Sequence, residues 1–225
     1  AGMGYAPVFR YSSTIFTASE VTTANEAVVL NKINDYQEEV YRYLDRKLRE
    51  RPYCIQHTET DFRVILADLQ LGKGCVYILK QGDKIPALAI VYPAGSTWQA
   101  GEIVAETSGM YLLLLQRICE QLNLPSIRVI SPSETEPTPQ VLGMARIINA
   151  KTILQRYAAE HPELKMSIAL TDPQISANNG YYYLNNGKCI SSAKRLPGSH
   201  LALTVGELTE KILSPSNPYM SLMLN

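Results

Sequence analysis

Two turn signals, Asn178-Asn179-Gly180 and Asn185-Asn186-Gly187, bracket the short run Tyr181-Tyr182-Tyr183-Leu184. Asn-Gly supplies the positive φ angles that a two-residue hairpin loop demands. The stretch therefore predicts a β-hairpin, with 188–193 as the return strand. A lone hairpin is marginal in water and must be covered by other elements. That requirement organises the last third of the chain into one compact α+β unit, and one or two of the three tyrosines belong to its core.

The flanking pattern supplies the cover. Met144 to Ile148 reads as a short apolar strand. Asn149 is placed to cap a helix over 150–159, where Ile153, Leu154, Tyr157 and Ala158 recur at helical spacing. His161-Pro162 stops it. Leu164, Met166, Ile168 and Leu170 alternate with polar residues, as in a half-buried strand. Asp172, beside two asparagines, suits a turn-stabilising role. Thr204 and Glu207 form the capping-box pair of a helix over 204–213. Pro215 and Pro218 then break the chain, and 219–224 is apolar on both faces, so burial is expected up to the terminal carboxylate.

Upstream, Gly4 to Tyr11 enters a strand that needs a partner from later in the chain, or from outside it. The longest helical pattern spans 28–51, with Ile33, Tyr36, Val40, Tyr43, Leu44 and Leu48 on one stripe. A second helix runs from a Thr58 or Thr60 cap to Leu71, with Phe62, Ile65, Leu66 and Leu69 inward and Gly72 closing it. Strands over 74–80, 85–92 and 101–106 follow, with Trp98 in the loop between the last two. A largely apolar helix at 110–122 and a strand at 126–130 complete the run. The segment SPSETEPTPQ, 131–140, has three prolines and is the clearest linker signal.

Composition narrows the function. Lys plus Arg and Asp plus Glu number 21 each. No electrostatic footprint for nucleic acid or an anionic membrane follows from that balance. An apolar fraction of 46% supports a sizeable core. Cys54, Cys75, Cys119 and Cys189 are far apart and form no CxxC, so reduced thiols without a metal site are expected. His57, His161 and His200 each stand beside polar or turn residues and read as solvated. Cys54 with His57 could suggest a thiol nucleophile, but the pair lies at a helix stop. The sequence opens without a secretory pattern and holds no membrane-spanning run, so the expected location is cytoplasmic.

The fold class is α/β plus α+β. The order helix, helix, three strands, helix, strand over 28–131 suits the GNAT acyltransferase arrangement. In that fold a Gln/Arg-x-x-Gly-x-Gly/Ala loop between strand and helix grips the pyrophosphate of acyl-CoA. The matching residues here are Ala105-Glu106-Thr107-Ser108-Gly109-Met110, with one glycine and an acid where a base belongs.

Further residues sharpen the likeness. Gly143-Met144-Ala145-Arg146, Asp172 with Asn178-Asn179-Gly180-Tyr181, Leu203-Thr204-Val205-Gly206-Glu207-Leu208-Thr209 and the ending Pro218-Tyr219-Met220 to Asn225 occur in order. Together the chain resembles the C-terminal two thirds of acetyltransferases of the enhanced-intracellular-survival type. The resemblance implies three segments: 1–27 as the tail of a preceding catalytic GNAT domain plus linker, 28–138 as a degenerate GNAT-like domain, and 139–225 as a sterol-carrier-protein-like domain. It implies acetyl transfer from acetyl-CoA to a small-molecule amine in the parent protein, with the cofactor site mostly outside this chain. It also implies a homo-oligomer, with no nucleic-acid or membrane partner. The carboxylate of Asn225 would act as the base, with Arg146 and Tyr219 as substrate-pocket residues. A carboxylate whose pKa is raised by burial can take the proton of an ammonium nucleophile. A non-catalytic lipid- or small-ligand-binding module and a purely architectural half remain as alternatives.

Overall fold

The computed structural model describes residues 3–18, 27–51, 53–132, 140–216 and 218–220. The chain divides into two compact units: a larger one of Tyr11–Gln140 with the stretch from Tyr219, and a smaller one of the residues up to Arg10 with Val141–Pro218.

The larger unit is a mixed sheet with helices on both faces. Its strands are β2 (Val29–Ile33), β3 (Cys75–Gln81), β4 (Lys84–Ala94), β5 (Thr97–Ala105), β6 (Ser126–Pro132) and the second part of β1 (Ala6–Thr17). They lie in the order β2-β3-β4-β5-β6-β1. Neighbours are antiparallel except β5 and β6, which are parallel and joined through the crossover helix α3 (Ser108–Leu122). The strand expected near the start of the chain therefore has a later partner: Tyr11 to Thr17 runs antiparallel to β6.

The central strands are apolar on both sides, as a sheet covered on both faces requires. Val76, Ile78, Leu88, Ile90 and Val104 pack with α1 (Glu38–Arg49) and α2 (Glu59–Leu71). The alternate residues Tyr77, Leu79, Ala87, Ala89, Val91 and Ile103 pack with Leu114, Leu115 and Ile118 of α3. The inward face of α2 is Phe62, Ile65, Leu66 and Leu69 as expected, and Thr58 with Asp61 closes a full capping box. Each such apolar side chain contributes roughly 1.5–3 kcal/mol through burial.

The expected helix over 28–51 is corrected. Only Glu38–Arg49 is helical; Val29–Ile33 is a strand pairing with β3, from Val29 opposite Lys80 to Ile33 opposite Val76. Ile33 and Tyr36 do join the same core cluster as Val40 and Leu44, but from a strand and a loop. Their spacing mimics a helical stripe because both elements approach one cluster. Trp98 is not in a loop: the turn closes at Gly95, whose φ is +64°, and β5 starts at Thr97.

In the smaller unit four strands lie in the order β10-β9-β8-β11, with β8 (Met166–Thr171), β9 (Gly180–Asn185), β10 (Lys188–Ser192) and β11 (Leu201–Thr204). The β9–β10 hairpin turns through Asn186 and Gly187, at φ +49° and +75°, the positive pair that a type I′ turn needs. Tyr182 is buried while Tyr181 and Tyr183 are half-buried. Helices α4 (Ala150–Glu160) and α5 (Val205–Leu213) supply Leu154, Ala158, Leu208 and Ile212 to the core with Ile168, Leu170 and Leu184. The Asn149 cap and the Thr204–Glu207 capping box are both made.

Two readings change here. Strand β7 is Gln140–Ala145, so it ends before Arg146. Ile147 instead gives its N–H to Thr209 Oγ1 at 3.2 Å and turns into the core. β11 carried no pattern long enough to see, and it pairs parallel to β8. Of the expected linker, Ser131 and Pro132 end β6 and Gln140 opens β7; 133–139 lie outside the described residues.

Candidate functional site

In the larger unit β5 and β6 pair at only two positions, Gln99 with Arg128 and Ala100 with Val129. On the other edge of β5 the register shifts, Ile90 facing Glu102 and Val91 facing Ala100, so Gly101 is an extra residue. A Cβ at Gly101 would stand 2.6 Å from the Tyr92 ring, which explains the glycine. Beyond this bulge Glu102 is 1% exposed. A buried carboxylate requires a partner. Arg51 supplies it: Nη1 donates to Glu102 at 2.9 Å and Nη2 to the Ile103 carbonyl at 3.2 Å.

Tyr219 completes this nest. Its ring lies 4.7 Å under the Arg51 guanidinium and its carbonyl accepts from Ile55 N–H at 3.1 Å. At 2% exposure it is part of the core. Burial, then the Glu102 carboxylate, push its phenol well above the usual range. Burial also pushes the Cys54 thiol up to about 11, so it stays protonated and is no nucleophile at neutral pH. His57 is buried, not solvated as its polar neighbours suggested, and burial lowers its pKa. Tyr41 donates to its backbone carbonyl. The nest holds Tyr219 in place by aromatic and backbone contacts and, among the described residues, presents neither a free base nor a nucleophile.

The turn between β5 and α3 borders a cavity of about 740 Å³ lined in part by Tyr43, Arg46, Ile85, Pro86, Glu106 and Met110. Its Glu106 carboxylate is already engaged. Glu106 accepts from Arg46 at 2.6 Å and lies 3.7 Å from Lys47. Glu106 N–H bonds Pro86 O, Met110 N–H bonds the Thr107 hydroxyl, and Tyr111 N–H bonds the Thr107 carbonyl. A diphosphate needs free N–H groups and positive potential at a helix start. Here the turn has a single glycine and places the Glu106 carboxylate where positive potential is needed, so these residues do not fit the pyrophosphate of acyl-CoA.

The fold seen here has solved counterparts. A GCN5-related N-acetyltransferase from Anabaena variabilis superposes with a TM-score of 0.67 at 12% identity, over 97% of this chain and 68% of that one. One from Kribbella flavida gives 0.63 at 12%, over 97% and 66%. Eis1 from Mycobacterium abscessus gives 0.60 at 13%, over 94% and 59%. This is the GCN5-related N-acetyltransferase fold. The chain thus spans roughly 60 to 70% of the length of these structures. No family model matches the sequence, and no curated protein sequence does. No described helix is long and apolar enough to cross a membrane.

Tyr219 sits in the Arg51–Glu102 nest. Arg146, in the smaller unit, is ion-paired to Asp172 at 2.6 Å and also donates to the Met3 carbonyl and the Gln174 side chain. Asp172 accepts from the N–H groups of Gln174 and Ile175, the turn-stabilising role expected of it, and from Asn178 Nδ2 at 2.9 Å. Against the opposing effect of burial, the bonds from Asn178, Ile175, Gln174 and Arg146 hold its carboxyl well below the usual range. Asn225 lies outside the described residues. No motif or spacing in the sequence singles out Arg51 and Glu102. The available signal was an acid inside the apolar run Gly101-Glu102-Ile103-Val104-Ala105, which must be buried with a cation.

Proposed function

We propose that this chain is the C-terminal portion of an acetyl-CoA-dependent amine N-acetyltransferase of the enhanced-intracellular-survival type. In this reading 28–138 is a degenerate GNAT-like domain and 139–225 a sterol-carrier-protein-like domain. Catalysis and acetyl-CoA binding belong to a domain preceding 1–27. This chain contributes pocket walls, a base in the terminal carboxylate of Asn225, and contacts for homo-oligomer formation. The observation that carries the reading is the β5–α3 turn. The fold has N-acetyltransferase counterparts, yet the place for a pyrophosphate holds the Glu106 carboxylate, bound to Arg46. Such a unit is retained for shape and contacts rather than for its own cofactor.

The test is acetyl-CoA turnover with a panel of amines. It compares this chain, a form extended upstream, and the extended form lacking Asn225. Activity confined to the extended form, and lost with Asn225, is the expected result. Turnover by the 225-residue chain alone would sink the assignment. Inactivity of every form, with an apolar ligand retained on purification, would favour a lipid-binding module instead.

A further inference from the structure

His57, in the larger unit, is a buried ring with nothing to bond. It is 6% exposed, and neither Nδ1 nor Nε2 has a hydrogen-bond partner among the described residues. Two unmet ring nitrogens cost stability that an apolar side chain of that size would not. The neutral imidazole can be kept there. The charged one, with two N–H donors and no acceptor, is kept only at a heavy penalty.

The stretch that carries His57 is a strap pinned at both ends. Upstream, Arg51 is bound to Glu102; downstream, Thr58 shares a capping box with Asp61. Between them Tyr53 has a φ of +50°, a left-handed conformation that a bulky side chain adopts only under constraint. The strap meets the C-terminal stretch where Ile55 N–H donates to the Tyr219 carbonyl at 3.1 Å. It meets α1 where Tyr41 donates to the His57 carbonyl at 3.2 Å. From α2 the Asp61 carboxylate acts on the ring and favours its charged form, but burial outweighs it. Tyr41, Cys54 and Tyr219, the ionisable groups of α1, the strap and the C-terminal stretch, are held neutral by burial.

We propose that 53–57 is an acid-released latch on the C-terminal stretch: when His57 takes up a proton its ring turns out to water, the strap lifts, and the Ile55–Tyr219 bond opens. Proton linkage fixes the direction. Burial lowers the His57 pKa from its ordinary 6.5 while the strap is closed, so the open strap takes the proton first. The closed strap is favoured above pH 6.5 and loses ground as pH falls below it. Asn225 follows Tyr219 by six positions (225 − 219). On the acetyltransferase reading the latch therefore governs where the terminal carboxylate can reach. The latch itself does not depend on that reading and its test uses no acetyl-CoA, so the two can fail separately.

The experiment is amide hydrogen exchange on the 225-residue chain at pH 7.5 and pH 5.0, corrected for the intrinsic effect of pH on exchange. The protection factor of Ile55 is expected to fall about tenfold; an open-state value of 6.5 allows no more than about thirtyfold at pH 5.0. Leu115, inside α3, should stay within about twofold, which separates strap release from global unfolding. A ¹³C-methyl label on Met220, next to Tyr219, should shift as Ile55 loses protection. His57→Phe keeps a ring that cannot charge, and should hold Ile55 within about twofold between the two pH values; should it not fold, His57→Gln makes the same comparison. Unchanged Ile55 protection in the wild type, an equal fall in the variant, a parallel fall at Leu115, or a Met220 methyl that stays in place while Ile55 opens would overturn the proposal.

Discussion

Arg146 and Asp172 meet at 2.6 Å with side chains only 6% and 0% exposed. Removing one member of such a pair leaves an uncompensated buried charge, worth about 3–5 kcal/mol. Asp172→Ala should lower stability by that amount, read as a drop in the urea midpoint. Asp172 also gives a pH signature. Its folded pKa is depressed and its ordinary value is 3.8. Its contribution is therefore fully present above that value and is lost as pH falls below it, towards the folded pKa. The wild-type midpoint should fall between pH 5 and pH 3 more steeply than that of Asp172→Asn.

Arg51 and Glu102 make a second test of the same physics in the larger unit. Glu102→Gln strands the Arg51 charge and should cost about 3–5 kcal/mol. The double variant Arg51→Met, Glu102→Leu removes both charges at similar volume and should be more stable than Glu102→Gln. Thermal unfolding of the three proteins decides it. A double variant no better than the single would mean that Arg51 acts mainly through the Tyr219 ring.

The Cys54 thiol reports on the nest without a stability measurement. With its pKa pushed up to about 11, only about one molecule in a thousand is thiolate at pH 8. Reaction with Ellman's reagent, located by mass spectrometry, should be slow at pH 8 and rise about tenfold per pH unit. Tyr219→Ala should accelerate it at least tenfold by admitting water, and Tyr219→Phe should change it little.

Glycines separate by what surrounds them. A Cβ at Gly74 would stand 2.8 Å from the Val91 carbonyl and 2.7 Å from Leu69 Cδ2. Gly74→Ala should cost about 1–3 kcal/mol by overpacking. Gly109, in the first turn of α3, has open space apart from Thr107 Oγ1 at 3.8 Å. Gly109→Ala should raise stability by up to about 1 kcal/mol. Calorimetry of the two variants checks the contrast.

What the sequence made legible was local. Thr58, Asn149 and Thr204 are caps because a short polar side chain before an apolar run has one good use. Asn186-Gly187 is a turn because few residues tolerate its dihedrals. The unreadable parts depended on distant partners. β2 is a strand because β3 offers an edge to it, and its own residues fit a helical stripe equally well. β11 has four residues and is defined by β8. The Arg51–Glu102–Tyr219 nest joins residues from three remote stretches, and no spacing rule links them.

The larger unit takes its last part from the far end of the chain. Arg51 and Tyr219 are separated by 168 positions (219 − 51). At about 5–20 residues per second, a ribosome needs roughly 8–34 seconds to travel from one to the other. From the point where Glu102 has been made, a nascent chain presents Arg51 and Glu102 without their aromatic cover, while the smaller unit is being made. Any chaperone or early partner that reads that uncovered patch has this window in which to act, and the arrival of Tyr219 ends it.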